Sequence, residues 1–373
     1  MMMKSCILSI LFICIFYVAG FSQELNPADT LMGFEEYTPV STLVVEEHPT
    51  QRAKFPFIDV HNHQFRMAKM DLSELTTEMD AMNMAVMVNL SGRGFGDPKT
   101  LEGNLENARK NAPGRFIIFT NIRFEGIDDP NWGELTAKQV ENDVKRGANG
   151  LKIYKNLGLT AKDKNGNRIA VDDPRIDPVW AKCGELGIPV LIHSGEPAAF
   201  WKPRDKYNER WLELKQRPGR YRNPETYPSW EEVIAEQHRM FKKHPNTKFI
   251  NAHLGWYGND LVKLGELMDE MPNMYSEIGA VLAELGRQPR AAKAFLEKYQ
   301  DRIMFGKDSW RPKEYYVYFR VLETEDEYFD YYRKRHAFWK MYGLGLSDEV
   351  LKKIYYKNAL KVIPNIDDSH FPD

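Results

Sequence analysis

The chain has 373 residues, 43% hydrophobic and 28% charged, a balance that supports a sizeable core and excludes a disordered or fibrous polymer. Its formal net charge of −2 excludes the electrostatic footprint of a nucleic-acid binder or of a protein held on an anionic membrane surface.

In chain order, the first segment stands apart. MMMKSCILSILFICIFYVAGFSQ carries one Lys, an apolar run from Cys6 to Ala19, and small residues after it. That run is too short to span a bilayer comfortably and has the layout of a secretory signal peptide, residues 1–22, cleaved after Ser22. The expectation is an exported protein, periplasmic or secreted, with no stable membrane association once the signal is removed. Two of the three cysteines lie in this segment, so Cys183 has no partner for an internal disulfide. It sits in the apolar helical pattern VWAKCGELGI and reads as a core residue.

A polar leader, residues 23–54, follows. Eight apolar runs then alternate with amphipathic stretches: FPFIDVH (55–61), NMAVMVNL (83–90), RFIIFTNIRF (115–124), NGLKIYK (149–155), IPVLIH (188–193), TKFINAHL (247–254), NMYSEIGA (273–280) and RIMFGKDSW (302–310). Strands that alternate with helices pair in parallel, and eight such units imply a single-domain α/β fold, a closed (β/α)8 TIM-type barrel over residues 55–365, with a tail at 366–373. No GxGxxG follows a strand, which argues against a dinucleotide-binding sheet. Two segments exceed the barrel pattern. Glu196 to Tyr227 is too long for an ordinary loop after strand five. Tyr315 to Leu346, rich in Tyr, Phe and charge, reads as extra C-terminal helices packed on the barrel.

The polar residues of interest fall at strand ends, where such barrels gather their chemistry. His61 and His63 are two apart, so they share a face and can hold one cation between them. Strand five ends in His193, strand six in His253 and strand eight in Asp308. His48, His238, His244, His336 and His370 fall in the leader, in helices or near the tail and carry no expected role. Strand four offers Lys152 and Lys155 on opposite faces, so at most one points inward. Arg123 ends strand three and can pair a carboxylate in a fixed fork. Gly255, Trp256 and Tyr257 follow His253 and shape a pocket. Glu277 on strand seven can face inward, in a place where a neutral residue would serve as well. From Trp201 to Arg222 the insertion holds eight Lys or Arg against three Asp or Glu, with four aromatics, which suits a carboxylated or aromatic substrate.

The ordered set of DVHNH, IPVLIHSGEP, NAHLG, the strand-eight Asp and the closing helix KIYYKNALKVI, with its Asn358-Ala359 pair, resembles the amidohydrolase superfamily. The similarity is to the amidohydrolase-related branch that also contains metal-dependent decarboxylases, and it covers most of residues 55–365. Lys307, in FGKDSW, stands where the family often has a small residue. The resemblance implies that His61, His63 and His193 ligate one divalent transition metal, with Asp308 on or beside it. Zinc is the first expectation, and manganese, iron or cobalt suit the same donors. It further implies that Asp308 moves the proton of an acidified water and that His253 polarises the substrate or acts as acid/base. Some members carboxylate a strand-four lysine to bridge two metals. This branch is mostly mononuclear, so Lys152 is expected to face the substrate, with Arg123 and Trp256. The expected function is an exported metal-dependent hydrolase acting on an ester, lactone or amide of a small, carboxylated molecule. Its alternatives are a nonoxidative decarboxylase with the same ligands and a catalytically silent ligand-binding barrel. No nucleic-acid partner is expected; a homo-oligomer is left open.

Overall fold

The computed structural model describes residues 32–33, 36–94, 96–333, 336 and 338–372. The expected signal peptide and the start of the leader lie outside them. Leu43–Asp373 forms one compact unit. Ahead of it, Glu36 and Tyr37 N–H bond the Gly33 carbonyl in a turn.

All eight expected strands form: β1 (Phe57–Asn62), β2 (Met84–Asn89), β3 (Phe116–Asn121), β4 (Gly150–Ile153), β5 (Val190–Ile192), β6 (Phe249–Asn251), β7 (Met274–Glu277) and β8 (Ile303–Met304). They pair in sequence order, each parallel to the next. The seam between β8 and β1 is joined by Val60 N–H to Phe305 C=O at 3.0 Å and Asp308 N–H to His61 C=O at 2.6 Å. The result is a TIM-type (β/α)8 barrel. Nearly every strand residue is buried, as parallel strands covered on both faces must be. The strands are shorter than the apolar runs that announced them, because the chain bends away at their C-terminal ends.

Aromatic packing reinforces the seam. Phe57 meets Phe305 at 4.8 Å between ring centres, and Phe305 meets Tyr355 at 5.7 Å. The closing helix, residues 348–362, docks through Asn358, whose Nδ2 donates to the Ile303 and Gln300 carbonyls. Part of the leader is pinned here too, since His48 donates its backbone N–H to Asp326 at 2.7 Å and Lys54 donates its own to Glu323 at 3.0 Å.

The insertion folds over the C-terminal face with a 3₁₀ turn at Ala198–Trp201 and a short helix at Trp211–Gln216. Much of its positive charge is neutralised internally: Arg222 pairs with Glu196, and Arg210 and Arg220 pair with Glu213. The reading of Tyr315–Leu346 as helices needs correction. Pro312–Glu323 is helical, but Phe329–Asp330 and Lys340–Met341 form a two-stranded antiparallel ribbon. The helix stops because Thr324 turns extended and the Leu344 and Leu346 N–H groups fold back onto the Val321 and Leu322 carbonyls.

Candidate active site

Four histidines, an aspartate, a glutamate and a lysine meet where the strands end. His61 is fully buried; the side chains of His63 and Asp308 are 16% and 38% exposed, so the cluster opens toward the barrel mouth.

Proton bookkeeping around each imidazole fixes what it presents. A carboxylate only accepts, so His61 donates from Nδ1 to Glu277 Oε1 at 2.9 Å. For His63 the chain is longer. Tyr154 Oη donates to the Leu90 carbonyl at 3.2 Å, so Ser91 Oγ donates to Tyr154 Oη at 3.0 Å. Ser91 must then accept from His63 Nδ1 at 2.8 Å. Both rings therefore carry their proton on Nδ1 and aim a bare Nε2 at Asp308 Oδ1, at 3.4 and 3.7 Å. Three lone-pair atoms face one another with no hydrogen between them, and His61 Nε2 is buried without a hydrogen bond. Such an arrangement repels itself until a cation enters, and imidazole nitrogen with carboxylate oxygen is a fitting donor set for a divalent transition metal.

His193 and His253 form a second pair. His253 Nδ1 donates to the Gly279 carbonyl at 2.7 Å, leaving its Nε2 to accept from His193 Nδ1 at 3.3 Å. His193 Nε2 is thereby bare, buried and without a hydrogen bond, 3.9 Å from Glu196 Oε2. The structure thus brings His61, His63 and Asp308 together and sets His193 beside His253 rather than in that cluster. Residues 253–256 run in the left-handed region, with φ of 59°, 52°, 59° and 63°. Such a run costs about 1–2 kcal/mol per non-glycine residue. Glu277 helps to hold it by accepting His253 N–H at 2.7 Å. Asp308 is also left-handed, at φ 78°.

Burial governs the protonation of the cluster. It holds His61 and His193 well below the ordinary imidazole range and His63 down to about 4, and electrostatic interaction with the neighbouring Lys152 or His253 side chain acts the same way. Burial pushes the Asp308 carboxyl up, but its electrostatic interaction with the His61, His253 and His63 rings and with Lys152 outweighs this and holds it below the ordinary carboxylate range, so the group stays ionised. Lys152 is buried, and its Nζ has no hydrogen-bond partner. Burial lowers its pKa to about 7. Lys155 points the other way, to Glu196 at 2.5 Å, as strand alternation requires.

Of the other expected residues, Trp256 packs its ring 4.6 Å from His253 and 5.5 Å from His193. Arg123 is exposed beyond β3, so close to Gly96 that a Cβ there would lie 2.1 Å from its Nε. Lys307 turns out of the site to pair with Glu314 at 2.6 Å. The neutral reading of Glu277 is overturned, for its carboxylate accepts from His61 Nδ1 and from the His253 and Gly279 N–H groups. Asp59 was missed altogether. It ties the β1 and β8 ends together by accepting the His61 and Lys307 N–H groups, and burial raises its pKa to about 6. Ser91, Tyr154 and Glu196 were missed as well. Their signal was their place, one to four residues past a strand end.

Known proteins agree with this architecture. The amidohydrolase family model, Amidohydro_2, matches residues 58–364. No curated protein matches the chain. An uncharacterized TIM-barrel protein of Bordetella bronchiseptica is 17% identical, with 82% of this chain and 97% of that one covered at a TM-score of 0.50. A dihydroxybenzoic acid decarboxylase from Polaromonas sp. JS666, with bound manganese and 2-nitroresorcinol, is 16% identical over 83% and 96%, at 0.51. A 2,6-dihydroxybenzoate decarboxylase in complex with 2,6-dihydroxybenzoate is 15% identical over 79% and 88%, at 0.50. At these identities the structures share the fold. With the family match spanning most of its length, the chain belongs to the amidohydrolase family.

Proposed function

We propose that this protein is an exported metal-dependent hydrolase acting on an ester, lactone or amide bond of a small, carboxylated molecule. The observation that carries the reading is the convergence of the bare His61 Nε2, His63 Nε2 and Asp308 Oδ1. These three would hold one divalent cation, with His193 Nε2, beside His253, as a further donor. When bound, the cation supplies Lewis acidity and brings the pKa of a water to ~7. Asp308, ionised and partly open to solvent, accepts the water's proton and returns it to the leaving oxygen or nitrogen as the acyl bond breaks. His253 cannot easily swing, because its ring is held at both nitrogens, and it serves to fix His193. Lys152, buried and unpartnered, offers a substrate carboxylate its ammonium.

A second reading, a nonoxidative decarboxylase using the same residues, has support in the chemistry named for the two decarboxylases that share this fold. Asp308 would then deliver a proton to carbon as carbon dioxide leaves. Metal-loaded protein assayed against lactones, amides and carboxylated aromatics separates the readings. Acid release without carbon dioxide supports hydrolysis, carbon dioxide release supports decarboxylation, and no turnover with any divalent metal contradicts both.

A further inference from the structure

His61 and His63 are each aimed by a hydrogen bond on Nδ1, but no donor among the described residues reaches the Asp308 carboxylate. Its direction therefore depends on the backbone turn that carries it. That turn is left-handed, with φ 78° at Asp308, a conformation unfavourable for a residue with a Cβ, so its neighbours must hold it.

Lys307 holds it at two points. Its backbone N–H donates to Asp59 Oδ1 at 3.1 Å, the oxygen that also accepts the His61 N–H at 3.0 Å. The ends of β1 and β8 are thus set against one atom. Its side chain is fully buried, and the ammonium reaches past Asp308 to the Ser309 carbonyl at 3.4 Å and the Ser309 hydroxyl at 3.5 Å. These contacts close a loop around Asp308. The same ammonium lies 5.6 Å from the Tyr315 ring centre and 5.7 Å from those of Tyr318 and Tyr332. Tyr315 in turn donates its hydroxyl to Asp59 at 2.6 Å, so cage and backbone anchor are one assembly.

A buried ammonium is costly unless it is paired, and Glu314 at 2.6 Å neutralises this one. An apolar side chain would fill the tyrosine cage without desolvating a charge. What the ammonium adds is the bond across Asp308.

We propose that Lys307 is a positioning residue for the cation site. Its ammonium staples the turn at residues 307–309, so that Asp308 Oδ1 meets His61 Nε2 and His63 Nε2, and it acts through Asp308 without touching the cation. The inference rests on the reading of His61, His63 and Asp308 as that site.

Lys307→Met tests it, because methionine is long, apolar and at home against aromatic rings but carries no charge. With the far-UV spectrum unchanged, competition with a chromophoric chelator for zinc should show a Kd about 10- to 100-fold weaker than wild type. That is the loss typical when a group outside the coordinating atoms ceases to orient one of them. A role in folding alone would lower the denaturation midpoint and leave zinc affinity unmoved. A double-mutant cycle isolates the route: in an Asp308→Ala background, Lys307→Met should change zinc affinity less than about twofold. Should Lys307→Met not fold, Glu314→Gln takes its place. It removes the carboxylate that fixes the ammonium and should weaken zinc binding about threefold or more. Wild-type affinity in a folded Lys307→Met protein, an equal loss in the Asp308→Ala background, or wild-type affinity in Glu314→Gln where Lys307→Met does not fold would overturn the assignment. A wild type that binds neither zinc nor manganese would remove the cation reading and this inference with it, whereas a wild type that binds zinc no better than Lys307→Met removes this inference alone.

Discussion

Two buried polar clusters in this barrel have similar ingredients and opposite logic. At the β1 and β8 ends, acceptors face acceptors: two bare imidazole nitrogens and a carboxylate oxygen, with no proton between them. Under the insertion, donors face acceptors. His336 Nε2 donates to Glu213 at 2.8 Å, and Arg210 spans Glu213 and Glu284. The second arrangement stabilises itself and locks the insertion to the segment near the ribbon. The first is held by its surroundings, with Glu277, Ser91 and Asp59 fixing each group, and it gains by accepting a cation. A buried histidine is thus informative through what its second nitrogen faces, more than through its burial.

The comparison can be broken most sharply at Asp308. Asp308→Asn keeps size and shape but loses the base, so kcat should fall by ~10² to 10⁴. Metal occupancy should fall less, since an amide oxygen still coordinates weakly. Steady-state kinetics with parallel metal analysis reads both numbers, and unchanged kcat would remove Asp308 from proton transfer. In the other cluster, Glu213→Ala leaves Arg210 with Glu284 alone and His336 Nε2 without its acceptor, and should cost about 1–3 kcal/mol of stability by denaturant titration, with metal content unmoved. A metal loss there would mean that the two clusters are coupled.

Glu277→Gln sharpens the contrast within the first cluster. It removes the carboxylate that sets the His61 proton on Nδ1, and should weaken metal affinity by ~10 to 100-fold while the metal is still bound at saturation. Competition with a chelator measures this, and wild-type affinity would return Glu277 to the neutral role first expected of it.

The smallest effect concerns pH. Burial lowers His336 and His238 to about 4, beneath the ordinary 6.5. Between those values the unfolded chain binds more protons, so their stability contribution is complete above pH 6.5 and is lost as pH falls toward 4. Asp59, raised to about 6, opposes this, since its contribution is lost as pH rises from 3.8 to 6. His238→Gln should flatten the acid side of the stability profile by on the order of 1 kcal/mol, discounted for its partly exposed ring. An unchanged slope from pH 6.5 to 4 would show that His238 titrates normally in the fold.

Much of the fold was legible because parallel barrel strands are buried on both faces, and runs such as RFIIFTNIRF and IPVLIH advertise that directly. Their ends were overestimated because His253 and Asp308 sit in left-handed turns just past β6 and β8, which hydropathy does not register. His61 and His63 were legible as a pair because period two puts them on one face. Glu277 was not, since one carboxylate in MYSE has no pattern, and its value depends on His61 and His253, far away in sequence. The ribbon at Phe329–Asp330 and Lys340–Met341 was hidden for a related reason: an aromatic, charged segment fits a packed helix as well as a strand pair, and tertiary contacts decide.

Metal stoichiometry tests the central claim most directly. Wild-type protein and His61→Ala, each purified without chelator and compared by elemental analysis and far-UV dichroism, should both be folded. The wild type should hold about one equivalent of a divalent transition metal and the variant almost none, as expected when one of few protein ligands is lost. Less than about a tenth of an equivalent in the wild type, or full occupancy in a folded His61→Ala protein, would contradict the assignment of His61, His63 and Asp308 as the cation site.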